Sequence, residues 1–173
     1  MKYADVKNHL FIPEGGFGET GAVGASDMST YFSHLNPTHI IVPVGTATTL
    51  AGLMHSADKS TNIIGVSVLK GFTDIYERLS AMLQNPAFNQ LTIWDDFHFG
   101  GYAKYNNELL DFMNDLYRAH KIPTDFVYTG KMMYALMIKI KSGYFKKGSR
   151  IVMIHTGGLQ GNLSLPAGTL MYE

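Results

Sequence analysis

The feature that most narrows the fold is a repeated switch between two hydrophobic periods. Short β-branched runs alternate with stretches of helical spacing, and glycine stands at the junctions. The clearest case is His39-Ile40-Ile41-Val42-Pro43-Val44, which stops at Gly45 and passes through Thr46-Ala47-Thr48-Thr49 into a helix predicted to reach about Ala57. The same pattern predicts short strands at 10–12, 62–68 and 91–94, and a last one in "RIVMIHTGG". Helices are predicted over about 22–35, 73–84, 106–119 and the stretch "TGKMMYALMIKIKSG". Thr73 is the expected N-cap of 73–84, with Pro86 just past its end, and Gly143 is the expected C′ residue of the last helix. Strands that alternate with helices imply an α/β domain with a mostly parallel sheet, and 173 residues suit one such domain.

In such sheets ligands sit beyond the carboxyl ends of the strands. The junctions 13–18, 45–49, 69–73, 95–102 and 155–161 are therefore the candidate site positions. A Gly- and Thr-rich turn into a helix presents free backbone amides and the positive end of the helix dipole. Thr46, Thr48 and Thr49 add hydroxyls, and the set suits a phosphate. A plain tight turn with a threonine cap is the alternative. This turn has no Walker lysine and does not itself read G-x-G-x-x-G, so a phosphate on a small cofactor or metabolite fits better than a triphosphate or dinucleotide.

Composition removes several classes. Lys+Arg and Asp+Glu balance at 14 each, which gives no electrostatic case for nucleic acid or an anionic membrane. Without cysteine there is no disulfide, thiolate catalysis or Cys-ligated zinc. The start "MKYADVKNHL" has no apolar core of a signal peptide, and no apolar run is long enough to span a bilayer; a soluble, cytoplasmic chain is expected. The seven histidines form no H-E-x-x-H and no i,i+4 pair, so no metal site is expected. His98 beside Asp95 and Asp96 reads as a loop at a strand exit, and His155 as a hydrogen-bonded structural residue on a core strand. Met132, Met133 and Met137 read as helix packing. Phe97, Phe99 and Tyr102 beside Gly100-Gly101 fit a site wall and core packing equally well. Glu14 either satisfies backbone amides or reaches the cleft.

Four motifs in order, "IPEGG" at 12–16, "GTATTLAG" at 45–52, "YTGK" at 128–131 and "HTGG" at 155–158, each fall at a predicted junction. Together they resemble the 1-aminocyclopropane-1-carboxylate deaminase / D-cysteine desulfhydrase family of pyridoxal-phosphate enzymes. The resemblance implies the three-layer, tryptophan-synthase-β-like fold (fold type II), with pyridoxal 5'-phosphate as cofactor and a small amino acid as substrate. By this resemblance Gly45, Thr46, Ala47, Thr48 and Thr49 match the phosphate cradle, with Ala47 and Thr48 where glycines are common. Tyr128 matches a tyrosine close to substrate and cofactor, and Tyr102 a second active-site tyrosine. Thr156 matches the residue facing the pyridine nitrogen, where a neutral hydroxyl tempers the electron sink. Thr129 stands where the deaminases carry an acid, which favours a desulfhydrase-like or other lyase activity over cyclopropane ring opening.

The resemblance also implies a lysine bonded to the cofactor in a motif like G-N-K, then an S-N-H loop, and neither motif occurs in this chain. Residues 1–16 are expected to be the end of a small domain and crossover, and 17–173 a portion of the large cofactor-binding domain. Lys131 lies in the family motif without being that lysine. Lys139, Lys141, Lys146 and Lys147 are expected on a solvated face; Lys59 and Lys70 flank strand 62–68, and Lys70, at its carboxyl end, is the lysine to check. An incomplete sheet is expected to expose an edge, so a homo-oligomer or a preceding N-terminal segment is the expected partner. Three functions follow: part of a lyase releasing ammonia and a keto acid, a non-catalytic cofactor-binding module, or a subunit that completes its sheet with another chain.

Overall fold

The computed structural model describes residues 11–172. Four strands form one parallel sheet: β1 (His39–Val44), β2 (Asn62–Ser67), β3 (Leu91–Trp94) and β4 (Ile151–Met153), in spatial order β3-β2-β1-β4. The connecting helices are α1 (Glu19–Ser26), α2 (Thr48–Ser56), α3 (Ile75–Met82), α4 (Asn107–His120) and α5 (Thr129–Lys141).

The period-2 alternation of β1 divides the core. Ile40, Val42 and Val44 pack on one side with Leu50, Leu53 and Leu79, while Ile41 faces the other with Met132, Ala135 and Leu136. Both faces are covered by helices, which is why β1 reads as a continuous apolar run. The result is three layers, as expected. Helix α1 lies directly against α2: a Cβ on Gly52 would come within 2.5 Å of Ala25 Cβ and 2.7 Å of Ala22 O. Met132 and Met133 are buried packing residues.

Several boundaries differ from the sequence reading. Leu10 lies outside the described residues, and Phe11 and Ile12 are not in a strand; a 3-10 turn follows at Glu14–Gly16. The helix expected over 22–35 is α1 followed by 3-10 turns at Asp27–Tyr31 and Ser33–Leu35. Here hydroxyls bond back to carbonyls three residues earlier, Ser29 Oγ to Ser26 O at 2.9 Å and Thr30 Oγ1 to Asp27 O at 2.7 Å, in competition with the α-helical ladder. Asp74, not Thr73, is the N-cap residue of α3, and its carboxylate takes Arg78 Nε at 2.8 Å. Gly143, at φ 73°, is the C′ residue after α5, as expected. β4 ends at Met153, so His155 is not on a core strand; it is exposed and its Nε2 lies 2.8 Å from Pro123 O. Lys139 is not fully solvated either, because its ammonium lies over Trp94, Phe97 and Tyr144 at 5.4–5.6 Å from the ring centroids.

Among the described residues no helix is long and apolar enough to cross a membrane.

Candidate active site

The topology itself opens the site. From β1 the chain steps outward to β2 and β3, then returns to the other side of β1 as β4. The carboxyl ends of β1 and β4 are thus the switch point of the sheet, where the following loops diverge. Pro43 ends the pairing of the two strands. β1 pairs with β4 from His39 to Ile41, and Ile41 O accepts from Ile154 N at 2.8 Å. The next β1 residue aimed at β4, two further on, is Pro43, which has no N–H, so that ladder stops.

A cleft of about 300 Å³ lies there. Its walls are the β1–α2 turn Gly45–Thr49, the loop Thr156-Gly157-Gly158 after β4, Tyr128 at the start of α5, and Glu14-Gly15. Three of the five junctions singled out in the sequence therefore meet. Neither Leu69–Thr73 nor 95–102 lines the cleft; Tyr102, expected as a second active-site tyrosine, stands behind Tyr128, its ring edge-on at 6.0 Å.

The β1–α2 turn presents hydrogen-bond donors to the cleft. Ala47, at φ 72° and ψ 4°, is the N-cap residue of α2, and no side chain caps the helix. The first bond outside the turn is Ala51 N to Ala47 O at 2.9 Å. The amides of Thr48, Thr49 and Leu50 come before it and have no acceptor within the helix, and all three residues line the cleft. Thr46 Oγ1 and Thr48 Oγ1 lie 3.1 Å apart beside them. The left-handed residue is Ala47, not β-branched Thr48, so the turn forms without a β-branched side chain at positive φ. Ala47 is buried, however. Ala47→Gly is expected to be near neutral, because relief at φ 72° offsets the lost methyl packing. Ala47→Val is expected to cost about 2–3 kcal/mol through both crowding and backbone strain. Urea denaturation of the two variants checks the contrast.

Space in the cleft depends on bare glycines. A Cβ on Gly45 would come within 3.1 Å of Tyr128 Cε1 and 3.2 Å of its hydroxyl, and one on Gly15 within 2.4 Å of Thr46 Oγ1. No lysine or arginine lines the cleft among the described residues. The donors are amides and hydroxyls, a set that fits a phosphate ester held without a side-chain cation.

Tyr128 is fixed by a residue the sequence reading missed. Asp125 is fully buried. Its Oδ1 accepts from Val127 N at 2.9 Å and Tyr128 N at 2.7 Å, and its Oδ2 from Thr129 N at 2.9 Å and Thr129 Oγ1 at 2.6 Å. It satisfies the orphan amides at the start of α5 and sets the backbone from which Tyr128 projects. The available signal was an aspartate four residues before Thr129, ahead of an apolar run. Thr129 is turned toward Asp125 and does not line the cleft. Burial, and then a hydrogen bond with Tyr102 and the charges of Tyr102, Asp125 and Glu14, push the Tyr128 phenol well above its usual range. Tyr128 therefore holds its proton at neutral pH and acts as a donor.

Thr156 is exposed on the cleft wall opposite the β1–α2 turn. Lys70 is exposed and does not line the cleft. Lys131 is completely buried, and its Nζ donates to His98 O at 2.8 Å and Gly101 O at 2.7 Å. His98 accepts from Gly100 N through Nδ1, and Asp95 and Asp96 are exposed.

A family model described as "Pyridoxal-phosphate dependent enzyme" matches residues 3–157. A solved structure titled "Crystal Structure Analysis of the ACC deaminase homologue" superposes with a TM-score of 0.69 at 26% identity, over 87% of this chain and 50% of that one. The chain thus spans about half the length of the structure it matches.

Proposed function

The chain belongs to the pyridoxal-phosphate dependent enzyme family, and from that membership we propose that it forms the cofactor-binding part of an amino-acid lyase. The reaction is release of ammonia and a keto acid from a small amino acid, in the manner of a D-cysteine desulfhydrase or an ACC deaminase. The observation that carries this reading is the convergence of the uncapped α2 N-terminus, Tyr128 and Thr156 on one cleft.

In this reading the amides of Thr48, Thr49 and Leu50 and the hydroxyls of Thr46 and Thr48 hold the cofactor's phosphate. Thr156 faces the ring nitrogen with a neutral hydroxyl. Bound pyridoxal phosphate supplies the electron sink for bond breaking at the amino acid's α carbon. Tyr128 holds a proton at its hydroxyl oxygen and donates it toward the substrate, and Tyr102 packs edge-on against its ring. Asp125 keeps Tyr128 in place. Thr129 favours the desulfhydrase-like branch, since an acid there would set a second carboxylate against Asp125. A second copy of the chain, or a preceding segment, is the proposed partner at the outer edge of β4.

That no lysine lines the cleft among the described residues favours one other reading, a cofactor-binding module that completes its catalytic site with a partner. Titration of pyridoxal phosphate into the full chain, followed by borohydride reduction and peptide mapping, tests both. Saturable binding with no modified lysine is the expected result and leaves turnover to an added partner. One stoichiometrically modified lysine would place the covalent bond in this chain. Absence of saturable binding would sink both readings.

A further inference from the structure

Tyr128 of the cleft and Tyr102, packed against it, come from different elements, and one buried cation joins those elements. Tyr128 begins α5, and Tyr102 sits on the turn that follows β3. That turn is strained: Phe99 (φ 53°), Gly100 (97°), Gly101 (124°) and Ala103 (52°) are all left-handed. Phe99 and Ala103 carry side chains, and such conformations persist where the surroundings over-determine them. Part of the constraint is local, from Gly101 N to His98 O at 3.0 Å and Lys104 N to Gly101 O at 3.2 Å. The same two carbonyls, His98 O and Gly101 O, each accept a second bond from Lys131 Nζ.

Lys131 is a poor choice for filling space. Burial pushes its pKa down to about 8 against the opposing pull of Asp125, so the buried ammonium is disfavoured, and a methionine would occupy a similar volume without that penalty. What methionine lacks is the pair of directed donors to the turn. We infer that Lys131 is a positioning residue for Tyr102: its ammonium anchors the 98–101 turn to α5 and so sets where Tyr102 stands against Tyr128. The consequence for catalysis rests on the cofactor reading of the cleft, while the anchoring itself does not.

The test therefore uses the full chain without cofactor. Hydrogen exchange is followed at residues 98–104, α5 and β1 in wild type, Lys131→Met and Lys131→Arg, together with the nuclear Overhauser contact between the Tyr102 and Tyr128 rings. In Lys131→Met, exchange at 98–104 is expected to accelerate at least tenfold and the ring contact to fade, with β1 protection retained. Lys131→Arg, which keeps a cation and several donors, is expected to restore both at least in part. Wild-type protection and ring contact in Lys131→Met would overturn the inference. Protection lost from β1 and α5 in both variants would also overturn it, by making Lys131 a packing residue. If pyridoxal phosphate fails to bind, the cofactor reading falls and these outcomes remain decisive for the anchor.

Discussion

Thr49→Asp is expected to make the protein more stable and at the same time to abolish cofactor binding. Thr49 is half-buried in the first turn of α2 and lines the cleft. A carboxylate there complements the helix dipole, worth roughly 0.3–1 kcal/mol, or about 1–3 °C in Tm. The same carboxylate meets a phosphate ester carrying nearly two negative charges. At about 4 Å and an effective dielectric near 20, each pair of unit charges repels by about 4 kcal/mol, so a loss of 100-fold or more in affinity is expected. Thr49→Asn, without the charge, should stay within about tenfold of wild type. Spectroscopic titration and thermal melts on the same samples read both effects. A Thr49→Asp chain that binds pyridoxal phosphate like wild type would remove the β1–α2 turn as the phosphate cradle.

Asp125→Ala carries the largest expected effect on folding. Four donors lose their acceptor at once in a fully buried position. Orphaned buried donors and a lost helix cap together cost about 3–5 kcal/mol, on the order of 10 °C in Tm for a chain of this length. Asp125→Asn should be milder, since one oxygen can still serve the Val127 and Tyr128 amides while the new NH2 group opposes the Thr129 N–H. A Tm for Asp125→Ala within about 2 °C of wild type would show that the amides at the start of α5 find other acceptors, and that Tyr128 does not depend on this carboxylate.

The strands were legible because their chemistry is local. His39–Val44 and Leu91–Trp94 were bounded correctly by β-branched content against glycine, proline and acidic neighbours. The place of the cleft was legible too, since the β1–α2 and β4 loops lie at strand ends whatever the order of the strands. The strand order was not, and it decides which junctions meet and which, like 69–73, stand apart. Asp125 escaped because it caps α5 from outside the usual N-cap position, through a turn whose shape the sequence does not spell out. Lys131 escaped because a lysine flanked by Gly130 and Met132 carries no mark of burial; its partners are backbone carbonyls some 30 residues away. The 3-10 turns after α1 escaped because a Ser- and Thr-rich stretch has the spacing of a helix, while its hydroxyls compete for the carbonyls a helix needs.

The early stop that Pro43 imposes on the β1–β4 ladder gives the cleft two walls of unequal stiffness. The wall at Gly45–Thr49 continues a strand paired over six residues with β2, and the wall at Thr156 hangs from a strand that, among the described residues, pairs over three residues with β1 alone. A molecule that touches both would act as a staple across the weaker seam. It would lend the outer strand a rigidity that its own hydrogen bonds do not supply, and the fold would be tightest when the cleft is full.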